Sequence, residues 1–178
     1  MRTDRLQRDF GVELRWKVFP LHPETPPEGT ELADLLGRSA AEINALQARL
    51  QLLAQDEGLV MSPRSRTVNS RRAQELGKWA ETSGRGEAYR MAVFAAYFGA
   101  GRDISQEQEL LEIVASLGLS PDAAQALLAS GRFTAAVDAD WEHARQLGVS
   151  AVPTHLCQGR RLVGFSPYSD FLALIGLS

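Results

Sequence analysis

The chain has 178 residues, 44% hydrophobic and 23% charged, with a formal net charge of -3. This is the composition of an ordinary globular protein, and its mild acidity suits neither a nucleic acid nor an anionic membrane surface. No apolar run approaches the ~20 residues that span a bilayer, and the charged opening MRTDRLQRDF has no apolar stretch of the kind a secretory signal needs.

In chain order, Leu6 and Phe10 stand at i, i+4 and Gly11 follows, the pattern of a closing helix. No cap precedes that helix, which is expected to be already under way at Met1. Val12 to Val18 alternates apolar and charged residues, predicting a strand with one buried face. A proline-rich loop, PLHPETPPEGTE, comes next. Ser39 and Glu42 form a capping box for a helix with Ile43, Leu46, Leu50 and Leu53 on one face, ended by Gly58. The basic loop MSPRSRTVNS leads to Ser70, the expected cap of a helix through Trp79. Glu87 to Phe98 is a strongly apolar helix, in which Tyr89, Phe94 and Phe98, like Trp79 before them, are expected in the core. Ser105 with Gln108 predicts another start, with a helix to about Leu117. Asp103 is expected to cap or turn. Ser120 and Pro121 open a helix closed by Gly131, and Phe133 to Leu147 is closed by Gly148. Thr154 to Cys157 and Arg161 to Phe165 then read as a hairpin across Gln158-Gly159. Ser166-Pro167 opens a last helix with Phe171, Leu172 and Ile175 inward.

Cys157 is the only cysteine, so an internal disulfide or a C-x-x-C pair is impossible, and a reducing, cytoplasmic compartment is expected. On the hairpin, Cys157 reads as a packed or edge-strand thiol. His22, His143 and His155 lack ligand spacing, so neither a metal site nor a cofactor is expected. Pro153 at the mouth of a strand has two readings. It is a trans proline opening an edge strand, or it follows a cis bond that turns the Val152 backbone toward a bound peptide or thiol.

The motifs VELRWKVFPLHP, NSRRAQELGKWA, YRMAVFAAYFGAGRDIS, LLASGRF and LGVSAVPTHLCQGRRLVGFSP resemble, over nearly all of the chain, the DsbA-like thioredoxin family. Within it, the resemblance is to the FrnE-like branch of cytoplasmic dithiol-disulfide oxidoreductases and isomerases. The resemblance implies an α/β, thioredoxin-like fold. Residues 1–38 and 148–178 would make the thioredoxin-like part and 39–147 a large all-helical insertion. It implies strand order 2-1-3-4, with Val152, Pro153 and Thr154 holding substrate. It also implies a first, central strand and a C-x-x-C helix start, neither of which these residues contain. Three outcomes follow: a reading frame that opens upstream, a strand 12–18 that slides to pair with 154–157, or a strand supplied by another chain.

No catalytic residue is assigned. The implied function is disulfide exchange with a thiol or disulfide protein, inactive in dithiol chemistry with these residues alone. The alternatives are a glutathione-dependent isomerase or transferase of the hydroxychromene carboxylate isomerase or kappa type, and a non-catalytic binding module. A second copy, in a homodimer, is a candidate partner beside the thiol or disulfide substrate. Arg64, Arg66, Asn69, Arg71 and Arg72 could hold the carboxylates of a glutathione-like thiol or form a solvated face.

Overall fold

The computed structural model describes residues 2–177, so the expected helix start at Met1 lies outside the described residues. The chain divides into two compact units. One comprises the residues up to Leu21 with those from Ala139 onward, and the other His22–Asp138.

His22–Asp138 is helical. A two-residue antiparallel bridge, β1 (Thr30–Glu31) with β2 (Arg66–Thr67), and a short helix α2 (Leu32–Leu36) precede α3 (Ala40–Asp56). The α3 capping box forms as its residues dictate: Ser39 Oγ accepts from the Glu42 amide, and the Glu42 carboxylate accepts from the Ser39 amide. Ile43 is buried, while Leu46, Leu50 and Leu53 are half-buried. The core lies among α4 (Arg71–Thr82), α5 (Gly86–Phe94), α6 (Glu107–Ser116) and α7 (Pro121–Ser130). Here Leu76, Tyr89, Leu110, Val114 and Leu127 interlock. Each helix contributes apolar residues at three- and four-residue intervals, which places them on one face. Tyr89 belongs to this cluster, and Trp79 and Phe133 pack on it. Phe94 does not: it is 45% exposed.

Three local expectations are corrected. Ser70 is the α4 N-cap residue but makes no side-chain cap bond. Its hydroxyl accepts from Gln74 Nε2 instead, one turn on. The preceding Asn69 Oδ1 accepts from the Arg71 amide, a local side-chain bond of the kind Asx residues make at helix starts. Ser105 likewise does not cap α6. Asp103 holds both its amide and its hydroxyl, and the helix begins one residue later than that cap would give, at Glu107 after Gln106. The apolar helix ending at Phe98 changes pitch on the way: Ala95–Gly99 is a π-helical turn.

The other unit contains α1 (Arg2–Phe10), an extended segment, the end of α8 (Thr134–Gln146), a hairpin and α9 (Tyr168–Leu174). α1 packs on α9, burying Leu6, while Phe10 is 48% exposed and not part of the core. Gly11 closes α1 with φ 65°. The hairpin pairs β3 (Thr154–Cys157) with β4 (Arg160–Val163), Thr154 opposite Val163 and Cys157 opposite Arg160. Gln158 and Gly159 both have positive φ, 49° and 79°, the two-residue turn whose twist matches a hairpin. Of the residues expected inward on α9, Phe171 is buried with Leu174, and Leu172 and Ile175 are half-buried.

The predicted strand at Val12–Val18 carries no ladder among the described residues. Its alternation survives in part as burial, with Val12, Leu14 and Val18 half-buried and Glu13, Arg15 and Lys17 exposed. Period 2 reports a face, whereas a strand also needs a partner for its amides and carbonyls. None of the described strands supplies one. The segment is tied to α8 by Asp140, which is buried and accepts from Lys17 Nζ at 2.7 Å and from the Val18 amide at 3.2 Å.

Candidate functional site

The segment Gly148–Thr154 is fastened at both ends. Gly148, at φ 66°, ends α8 with a Schellman-type pair in which the Gly148 amide donates to Arg145 and the Val149 amide to Ala144. From β4, Arg161 donates to the carbonyls of Gly148 and Leu147. At the other end, Thr154 Oγ1 donates to the Ala151 carbonyl at 2.6 Å, and the Pro153 carbonyl accepts from Gly164 at 2.8 Å. Between these ties lies the Val152-Pro153 peptide, which is cis. Val152 is 45% exposed, Pro153 is exposed, and the Val152 amide and carbonyl make no hydrogen bond among the described residues. Unpaired backbone is stable only where water or a ligand can reach it. The three residues expected to hold substrate thus share one braced turn, with one peptide turned outward.

Among the described residues β3 is hydrogen-bonded on one edge only, to β4. Side chains alternate along it. His155 packs edge-on against Phe171, centroids 4.8 Å apart, while Leu156 on the opposite face is 43% exposed, and Val163 and Phe165 are 49% and 59% exposed. Arg2 lies over the Phe165 ring at 4.4 Å and Arg5 over Tyr168 at 4.1 Å. Burial lowers the His155 pKa, and its Nδ1 is enclosed without an acceptor or donor. Cys157 is a free, half-buried thiol three strand positions from Thr154, about 10 Å along β3. It does not share the Val152–Thr154 turn. Among the described residues no group of histidine, cysteine and carboxylate side chains could hold a metal, and no helix is long and apolar enough to cross a membrane.

The basic loop separates into paired and unpaired members. Arg66 is paired with Glu31 at 3.1 Å and also donates to the Glu28 carbonyl. Arg71 reaches Asp138 at 2.6 Å and Glu75 at 3.4 Å. Arg72 meets Glu107 at 3.2 Å, and Asn69 donates to the Thr25 carbonyl. Arg64 has no carboxylate and instead stacks on Tyr97 and Phe98. Sequence reasoning did not find the Arg161 brace or the Asp140 tie. Both are long-range contacts made by residues whose local pattern carries no signal for them.

The description "DSBA-like thioredoxin domain" matches residues 1–176. The chain belongs to the DSBA-like thioredoxin family. It is similar in structure to a probable DsbA oxidoreductase from Streptomyces coelicolor, with a TM-score of 0.86 and 25% identity over 97% of this chain and 79% of that one. It also resembles a 2-hydroxychromene-2-carboxylate isomerase, with a TM-score of 0.74 and 22% identity over 97% of this chain and 83% of that one. No curated protein matches the sequence. The fold is the thioredoxin-like fold of DSBA-like proteins, rich in helix and with few, short strands. In this DSBA-like chain the Val152–Thr154 turn stands beside a hairpin with an open edge, and the cysteine pair of a dithiol enzyme is not among the 178 residues.

Proposed function

We propose that this chain serves thiol–disulfide exchange as a member of the FrnE-like branch, with Val152, Pro153 and Thr154 holding an extended substrate segment. The unpartnered, exposed Val152 peptide carries this reading. A substrate strand laid antiparallel to the turn would donate to the Val152 carbonyl and accept from its amide, the usual way a sheet edge captures a peptide. The open edge of β3 and the exposed Leu156 and Val163 support a further strand beside the hairpin, which we place outside these 178 residues together with the dithiol. Complete disulfide reduction takes two electrons. One thiolate attacks the disulfide, one sulfur leaves as thiolate, and a second thiol must then resolve the mixed disulfide. Cys157 alone supplies half of that sequence, so the chain by itself is inactive in dithiol chemistry. A free thiol suits a reducing compartment such as the cytoplasm.

The test is amide chemical-shift mapping with a cystine-containing peptide. Shifts centred on residues 151–155 and 163–165 are expected, and their absence there, or their concentration elsewhere, would overturn the reading. The second reading is a glutathione-using isomerase, for which the shared fold of the chromene carboxylate isomerase is the supporting observation. It predicts that reduced glutathione shifts the same amides with no disulfide present.

A further inference from the structure

Arg64 lies in the loop between α3 and β2, and its neighbours set its chemistry. The chain after α5 widens into the π-helical turn Ala95–Gly99, in which the Ala100 amide donates five residues back to Ala95 at 2.9 Å. Such turns break the regular carbonyl ladder and recur at functional sites. Here the freed carbonyls are used. The Ser62 amide donates to Phe98 at 2.7 Å, and Ser62 Oγ donates to Gly99 at 2.5 Å. The loop is thereby pinned to the helix end, with Gln51 Nε2 holding the Met61 carbonyl from α3. The same turn sets Tyr97 and Phe98 side by side, centroids 4.9 Å apart. The Arg64 guanidinium covers both, 4.7 Å and 4.6 Å from their centroids.

This cation is held but not neutralised. Among the described residues Arg64 makes no ion pair and no hydrogen bond, and its Nε and Nη1 are enclosed without an acceptor. Nη2 is not among the enclosed atoms. Enclosed donors without acceptors cost free energy and call for an explanation. Ring faces attract the charge but accept few hydrogen bonds. The contrast with Arg66, Arg71 and Arg72, each on a carboxylate of this chain, makes Arg64 the unmatched positive charge of the loop. An apolar ring lies next to this stack: Phe94 packs against Phe98 at 5.9 Å and is 45% exposed.

We propose that Arg64 anchors a small organic carboxylate with an apolar or aromatic body. One carboxylate oxygen accepts from Nη2, and the body lies along Phe94. The guanidinium is preorganised by its two rings and the pinned loop, so little side-chain freedom is lost on binding. Anionic charge is attracted more strongly here than at an exposed arginine, because the rings exclude water from one side. The site lies wholly within His22–Asp138 and needs no thiol, so it stands or falls apart from the Val152 turn.

Benzoate and its neutral isostere benzamide are the probes, titrated calorimetrically against the full chain. Saturable benzoate binding is expected, with benzamide at least ~10-fold weaker, since a tenfold change is about 1.4 kcal/mol and a charge-assisted bond exceeds that. Arg64→Met and Arg64→Gln lose at least ~10-fold in benzoate affinity, while Arg72→Gln stays within about twofold. No benzoate binding by the folded chain up to ~10 mM, equal affinity for benzamide, or undiminished binding by a folded Arg64→Met chain would overturn the proposal. So would an equal loss in Arg72→Gln. Should the Arg64 variants fail to fold, the benzoate–benzamide comparison on the unsubstituted chain still decides it.

Discussion

Tyr89 and His155 show how single buried groups tune this molecule. Tyr89 is 2% exposed, and its hydroxyl is enclosed with no partner among the described residues. Burial pushes its phenol pKa up, so it stays neutral at any ordinary pH. An unpaired buried hydroxyl costs free energy, whereas the ring repays its place in the core by packing. Tyr89→Phe is therefore expected to leave stability unchanged or raise it by about 1 kcal/mol, read as a urea midpoint shift at constant slope. A loss above that size would mean that the hydroxyl has a partner. His155 acts through protons. Burial lowers its pKa below the ordinary 6.5, so the unfolded chain takes up this proton more readily than the folded one. Its contribution is intact above about pH 6.5, falls as the pH drops through that value, and levels off once the folded form is protonated too. Melting curves between about pH 7.5 and 5 should show a shallower acid-side loss for His155→Leu. An unchanged slope would place the acid sensitivity elsewhere.

Elements differ in how far local chemistry determines them. The Ser120-Pro121 start of α7 is complete in itself: Ser120 Oγ accepts from the Ala123 amide, the proline occupies the first turn, and Gly131 closes the helix at φ 62°. Ser120→Ala should cost about 0.5–2 kcal/mol with no change in fold, measured by denaturant unfolding. The extended run Val12–Val18 is the opposite case. Its alternation is unmistakable, yet no strand among the described residues pairs with it, and its Val18 amide donates to the Asp140 carboxylate instead. Hydrogen exchange should find the amides of residues 12–15 close to unprotected, and those of Leu76, Leu110 and Val114 in the core cluster among the slowest. Strong protection across 12–15 would show that the segment pairs after all. Ser70 and Ser105 teach the same lesson in miniature. Each has the spacing of a cap, but the Ser70 hydroxyl accepts from Gln74 Nε2 and the Ser105 hydroxyl donates to Asp103 instead.

At the scale of the whole molecule, the electron count governs function. With a single cysteine, the purified chain should reduce insulin disulfides no faster than the background with dithiothreitol alone, since a mixed disulfide at Cys157 has no second thiol to resolve it. Robust turnover would refute this. The short β1, α2 and β2 could not be read from the chain, whereas the order of the longer helices, the closing hairpin, the capping box at Ser39, the Gln158-Gly159 turn, the one-cysteine limit and the family itself all could. They depend on neighbours a few residues apart or on residue types alone. Three things needed the tertiary structure: that, among the described residues, Val12–Val18 runs without a ladder and Arg64 alone of its loop lacks a carboxylate, and that Arg161 braces the turn before Pro153. Each depends on which distant group arrives to accept or donate a hydrogen bond. A chain's periodicity records which faces its side chains share, whereas a partner forty or a hundred residues away is chosen only when the elements pack.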